Sequence, residues 1–414
     1  MCKICFEMNS FLQIMCILRN AKAVNNLRIV FLSVLMAIAF LGRGQSKKET
    51  DIVFEKHVLC DTFVSEGATV ADVNRDGLLD IIAGAYWFEA PTWKQHELAE
   101  PQAFEYDKGY SNAFLHFALD VDQDGWVDII RIGLPGDEVV WYENPKNEPG
   151  HWKEHPIYPA FGNETPLFED VDGDDRPDLI GNDPETEEVI WLRAPHKPGD
   201  TTWEKHIVSN EAGLGTHQYT HGLGFEDING DGRRDILINK GWWEAPAKHD
   251  GQPWQFHPTD FGEDCAQMYT YDVNDDGLLD IISSSAHNYG IWWHEQQRDD
   301  IGGTRWKTHV IDSTFSQSHA LTLMDINGDG YLDLVTGKRF FAHNGNDPGE
   351  FEPAVLYWYE FLPNNPPYWR AHQIDDNSGV GLQVIVEDVD GDGLLDIVVS
   401  NKKGVFFTKQ LARK

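Results

Sequence analysis

The chain has 414 residues and carries 68 acidic against 33 basic side chains, a formal net charge of −35. That balance excludes nucleic acid as a partner, because the phosphates would be repelled. The length would ordinarily suggest two or three domains, but closed repeat folds exceed that prior, and the repeats below leave no room for a second domain.

Residues 28–41, RIVFLSVLMAIAFL, form an apolar run opening on Arg28 and followed by Gly42, Gly44, Gln45 and Ser46. This reads as a secretory signal within residues 1–45, too short to span a bilayer and with no cysteine after it for a lipid anchor. The expectation is an exported protein, periplasmic or secreted, without a transmembrane anchor. Only Cys60 and Cys265 follow, in blades that are not neighbours, so the fold does not rest on a disulfide.

Past this leader, the pattern D-x-[DN]-x-D-G-x-x-D occurs seven times, with starts 48, 50, 57, 45, 53 and 63 residues apart. That period suits one four-stranded blade per repeat. Oxygens at positions 1, 3, 5 and 9 with a carbonyl at 7 can converge on a hard cation, and Gly at 6 permits the tight turn. The ligand sets are Asp72, Asn74, Asp76 and Asp80; Asp120, Asp122, Asp124 and Asp128; Asp170, Asp172, Asp174 and Asp178; and Asp227, Asn229, Asp231 and Asp235. The last three are Asp272, Asn274, Asp276 and Asp280; Asp325, Asn327, Asp329 and Asp333; and Asp388, Asp390, Asp392 and Asp396. Structural calcium is expected in several of them. The alternative is a polar turn held by Asx hydrogen bonds. The third copy departs from the pattern, with Asp175 in place of Gly.

Between the loops recur an aromatic strand, as in VVWYENP and VIWLRAP, and a Trp-x-x-His strand ending on His96, His155, His206, His257, His309 or His372. The N-terminal FEKHVL around His57 is a seventh copy without its Trp, so residues 51–410 read as an all-β, seven-bladed β-propeller whose first strand completes the last blade. Histidines present in every repeat are framework residues, since they cannot define one asymmetric site.

The loops resemble those of FG-GAP or VCBS-type propellers, including the calcium hairpins of integrin heads. The Trp-x-x-His and aromatic strands are similar to the propeller portion of aldos-2-ulose dehydratase and, more loosely, to propeller-type lyases and dehydratases acting on ulvan-like uronate polysaccharides. The resemblance implies a propeller fold over residues 51–408 and an activity on acidic or keto sugars.

In such a ring, residues entering each inner strand and residues leaving the next strand share the face opposite the loops. The entering set contains Glu66, Asn112, His116, Glu164, His217, Tyr219, His221, Gln267, Tyr269, His319 and Gln383. The returning set contains Arg131, Asn239, Lys240, His287, Asn288, Lys338, Arg339, His343, Asn401 and Lys402. These residues are polar and differ from blade to blade. His221 and His319, both six residues before their loops, are read as the base, or as ligands of zinc or another divalent metal with His217 and His287, and Tyr219 as the acid. Lys338 and Arg339 are expected to hold a carboxylate or sulfate, with Lys240, Arg131, His116 and His343 as further substrate contacts.

The expected chemistry is β-elimination on a uronate- or keto-sugar oligo- or polysaccharide, by a monomeric lyase or dehydratase. The alternative is a non-catalytic propeller that binds glycan or protein.

Overall fold

The computed structural model describes residues 52–249, 251–298 and 303–412. The apolar run at 28–41 lies outside them. Among the described residues, seven antiparallel four-stranded sheets are formed. Six follow chain order from inner to outer strand, the first being Thr69–Ala71, Asp80–Ala83, Tyr86–Glu89 and Lys94–Glu97. The seventh runs Val384–Glu387, Asp396–Asn401, Gly404–Leu411 and then back to the N-terminal strand Val53–Cys60. His57 faces Phe407 in that last pairing, so the two ends of the chain share one sheet. Closure of this kind leaves no free edge between first and last blade. Cys60 and Cys265 are both free thiols.

In each blade the second strand is buried on both faces, as in Asp80–Ala83 and Asp235–Ile238. Such strands read as continuous apolar runs because neighbouring blades cover both sides. The aromatic third strand fills the gaps between blades: Trp141, Trp191 and Trp243 are each about 1% exposed. At 150–250 Å² per ring, each such side chain contributes roughly 4–6 kcal/mol of apolar burial.

The outer strand adds a repeated cross-strand pair. Trp87, Trp141, Trp191, Trp242, Trp293 and Trp358 lie directly opposite His96, His155, His206, His257, His309 and His372. Their rings stack with centroids 4.1–4.4 Å apart. In five of these pairs the imidazole also meets a glutamate of the aromatic strand, as His309 meets Glu295 at 2.7 Å. The framework role of these histidines follows from that packing.

The Asp-rich nonapeptides form the hairpin between first and second strands. In each, the ninth residue is a buried Asp whose two oxygens each accept a backbone N–H. Asp80 accepts from Val73 at 3.2 Å and from Ala90 at 2.9 Å, and Asp178 accepts from Val171 at 3.1 Å and Ala194 at 2.8 Å. The first Asp caps the turn by accepting from residues 5 and 6, as Asp72 does from Asp76 and Gly77. Position 6 is left-handed throughout, from Gly330 at φ 93° to Asp175 at φ 66°, which explains why glycine stands at six of the seven.

Across the axis, Gln383 of blade 7 exchanges two hydrogen bonds with the backbone of His116 in blade 2, both 2.9 Å. Gln267 of blade 5 donates to Leu382 of blade 7 at 2.9 Å and accepts from Leu321 of blade 6. Bonds between blades that are not adjacent cross the centre, so amide side chains bridge the axis.

Candidate functional site

Position six before each loop is where blade ends converge on the axis. In chain order it holds Glu66, Phe114, Glu164, His221, Ala266, His319 and Leu382. The four polar members meet one another. His221 Nε2 and His319 Nε2 are 3.2 Å apart, and each is 3.4 Å from Glu164 Oε2. Arg339, returning from blade 6, places one guanidinium nitrogen 3.3 Å from Glu164 and another 3.4 Å from Glu66. His221 Nδ1 lies 2.9 Å from the Tyr219 carbonyl, which fixes that ring and turns Nε2 toward the cluster.

A second group of side chains stands against the first. The His287 ring is 4.4 Å from that of His221 and 4.4 Å from that of His343. His287 Nδ1, His343 Nδ1 and Asp347 Oδ2 are separated by 3.1, 3.4 and 2.8 Å. Asp264 offers an oxygen within 4.8 Å of both His221 and His287. The inner group is almost fully buried, while His287, His343 and Asp347 are about 27, 32 and 15% exposed in their side chains, so the second group faces the solvent side.

Tyr110 ties the groups together. Its hydroxyl accepts the His343 N–H at 2.9 Å, and its ring lies 5.6 Å from the Arg339 guanidinium and 4.3 Å from Lys402 Nζ. Lys402 also donates to the Phe341 carbonyl at 3.0 Å. Beyond it, Tyr106, Phe340, Phe341 and Phe351 form a chain of rings with centroids 5.3–6.1 Å apart, and Phe351 is 82% exposed.

Charge follows burial. Burial opposes ionisation of Glu164, but His221, His319 and Arg339 outweigh it and hold the carboxyl well below its usual range. Burial, reinforced by Arg339, pushes the His319 imidazole far down, against the pull of Glu164. Burial raises Glu66 against the pull of Arg339 and Lys402. Burial pushes the Lys402 ammonium down to about 8, with Glu66 opposing.

The candidates read from the sequence divide. His221, His319, His287 and His343 come together, with Arg339 behind them. Arg339 is committed to Glu66 and Glu164, so it positions a carboxylate of the protein instead of presenting a fork to substrate. Its neighbour Lys338 is buried on the other side, donating to Ser316 and Gln317 at 2.9 and 3.1 Å. Successive residues of extended chain point oppositely, which separates the two. His217 and Tyr219 are exposed and pack on each other with centroids 5.8 Å apart. Lys240 is an exposed partner of Asp260. His116 is buried with its imidazole pushed down to about 4, chiefly by desolvation, and its Nδ1 lies 3.2 Å from the Gly67 carbonyl. Arg131 lines a separate cleft of about 750 Å³ with Asn112, Tyr142 and Glu154.

Asp347, Asp264 and Tyr110 lie outside the residues singled out from the sequence. The sequence marks Glu66 and Glu164 only as polar residues of the entering strands. Their shared offset with His221 and His319 is the signal that groups all four.

In the loops, the carboxylates of Asp120, Asp122 and Asp128, and those of Asp170, Asp172 and Asp178, lie within 4.8 Å of one another. In the third loop Arg193 reaches Asp172 at 2.6 Å and Asp174 at 3.0 Å.

An FG-GAP-like repeat model matches residues 120–181 and 272–336. The chain carries FG-GAP-like repeats. No curated protein matches it. Among solved structures it is similar to an Agrocybe aegerita lectin that recognises non-reducing terminal N-acetylglucosamine, at 17% identity, covering 88% of this chain and 86% of that one, TM-score 0.42. It is also similar to the rhamnogalacturonan lyase YesW, at 13% identity, 88% and 73% coverage and TM-score 0.43. A Bacillus licheniformis rhamnogalacturonan lyase is similar at 13% identity, 86% and 72% coverage and TM-score 0.42. Among the described residues no helix is long and apolar enough to cross a membrane.

Proposed function

We propose that this protein is an exported lyase or dehydratase that performs β-elimination on an acidic or keto sugar, using a divalent metal held by His221, His319 and Glu164. The observation that carries the reading is the triangle of donor atoms, with edges of 3.2, 3.4 and 3.4 Å. Three ligands at 2.0–2.1 Å from a tetrahedral ion lie about 3.3 Å apart, and two histidines with one carboxylate leave a position open. Two ring nitrogens and one carboxylate oxygen converge on one another there, and a single cation would satisfy all three.

A metal there would bind a sugar carboxylate or ketone oxygen and stabilise the enolate formed when the adjacent carbon loses its proton. Lys402, with its ammonium lowered toward neutrality, is the base. The electron pair released from that C–H bond forms the new carbon–carbon double bond as the β oxygen departs. Tyr110 supplies the proton that oxygen takes up. The leaving group is water in a dehydratase and a glycosyl oxygen in a lyase. The exposed rings of Tyr106 and Phe351 suit the apolar face of a sugar. Calcium in the Asp-rich loops would act on stability alone.

The test is incubation with ulvan, other uronate polysaccharides, their unsaturated oligosaccharides and a 1,5-anhydro keto sugar, read by ultraviolet absorbance and product mass. A conjugated product that disappears in His319→Ala while the melting temperature is kept supports elimination, and loss of water against chain cleavage separates dehydratase from lyase. The aromatic rim favours one other reading, a glycan-binding module. That reading stands if no substrate is turned over and glycan affinity survives His319→Ala.

A further inference from the structure

We propose that His287 Nδ1, His343 Nδ1 and Asp347 Oδ2 form a second, outer divalent-metal site beside the inner triad, open to solvent at its remaining positions. The proposal concerns metal binding alone and does not depend on the elimination chemistry.

Three observations carry it. First, the three donor atoms form their own triangle, with edges of 3.1, 3.4 and 2.8 Å, near the roughly 3.3 Å expected around a tetrahedral ion and the roughly 3.0 Å expected between adjacent ligands of an octahedral one. Two ring nitrogens converge on one carboxylate oxygen and on each other. Protons can satisfy some of those edges, whereas one cation satisfies all three.

Second, the donors come from two blades whose backbone is fixed independently. His343 and Asp347 are four residues apart on the turn that follows Arg339, and the Tyr110 hydroxyl holds that turn through the His343 N–H. His287 comes from blade 5, where Asn288 donates its N–H to Ser285 at 2.8 Å.

Third, the site abuts the inner triad without sharing a ligand. The His221 and His287 rings are 4.4 Å apart, and Asp264 reaches toward both. With both sites filled, a carboxylate such as Asp264 could link the ions, as in two-metal centres. Imidazole with a single carboxylate favours a first-row transition ion, zinc foremost, over calcium or magnesium.

The experiment is a zinc titration of the chelator-stripped protein with calcium in excess, read by calorimetry and metal analysis of the desalted product. Wild type should hold two tight equivalents. His343→Ala and the isosteric Asp347→Asn should each hold one, and Glu164→Gln should lose only the other. Cobalt should give a visible band in Glu164→Gln that is absent when Asp347→Asn is added. If Asp347→Asn and His343→Ala bind as many equivalents as wild type, the outer site does not exist. Loss of both equivalents in Asp347→Asn would overturn separate sites in favour of two interdependent ions, and a single wild-type equivalent lost in both Asp347→Asn and Glu164→Gln would overturn them in favour of one shared ion. A single wild-type equivalent lost in Asp347→Asn and kept in Glu164→Gln would leave the outer site standing and remove the inner metal.

Discussion

Histidine serves this molecule in two regions, and the contrast separates architecture from chemistry. On the outer wall six imidazoles stack on tryptophans and five of them meet a glutamate, the same arrangement in blade after blade. At the axis four imidazoles, His221, His287, His319 and His343, come from three blades and meet each other. A pair that recurs with the repeat contributes to every blade equally and can select nothing. A residue appearing at one blade's end breaks the ring's symmetry, and only broken symmetry can orient a substrate. Burial sharpens the difference, because the wall histidines keep about a quarter to a third of their side-chain surface in solvent, whereas His319 keeps none.

The largest effect should come from the axis. Glu164→Gln or His319→Ala should lower kcat/KM for elimination by about a thousandfold or more, the scale of losing a metal or a proton-transfer group. His309→Ala on the wall should leave it within about twofold. Equal losses from both would end the distinction.

The loops supply the next effect. Removing calcium should lower the melting temperature by about 10 °C, because several sites bound in the folded state alone each contribute a few kcal/mol at saturation. Calcium should restore it and equimolar magnesium should not. An unchanged melting curve would assign the loops to hydrogen bonds such as those from Asp76 and Gly77 to Asp72.

The ring was legible in the sequence because each blade repeats its own chemistry. Seven loops, the aromatic strands and the unpaired N-terminal FEKHVL foretold the sheets, including His57 opposite Phe407. The axis was legible only in part. His221 and His319 stood out, but Glu66 and Glu164 share their offset and are equally central. Asp347 could not be found by period, since it lies in residues 338–355, the long connection of blade 6 that has no counterpart in blade 1. Lys338 and Arg339 looked equivalent as neighbours, and only the fold shows one facing Ser316 and the other facing Glu164.

A smaller effect tests the wall directly. His309→Ala removes a stack at 4.1 Å and a contact with Glu295 at 2.7 Å. Because these groups are partly exposed, the cost should be about 1 kcal/mol, or about 2 °C, in thermal melting.

The smallest effect concerns the loop that breaks the pattern. Asp175 sits at φ 66° where the other six copies have glycine, a conformation that costs an L residue on the order of 1 kcal/mol, of which the greater freedom of glycine in the unfolded chain takes back about half. Its N–H donates to Asp170 at 3.0 Å, a bond that glycine would keep. Asp175→Gly should therefore raise the melting temperature by about 1 °C in the presence of chelator. With calcium added, the sign separates two roles for this loop. If Arg193, already on Asp172 and Asp174, takes the place of the ion, the gain should be the same with and without calcium. If the loop binds calcium and the extra carboxylate strengthens that binding, the gain should shrink or reverse once calcium is present.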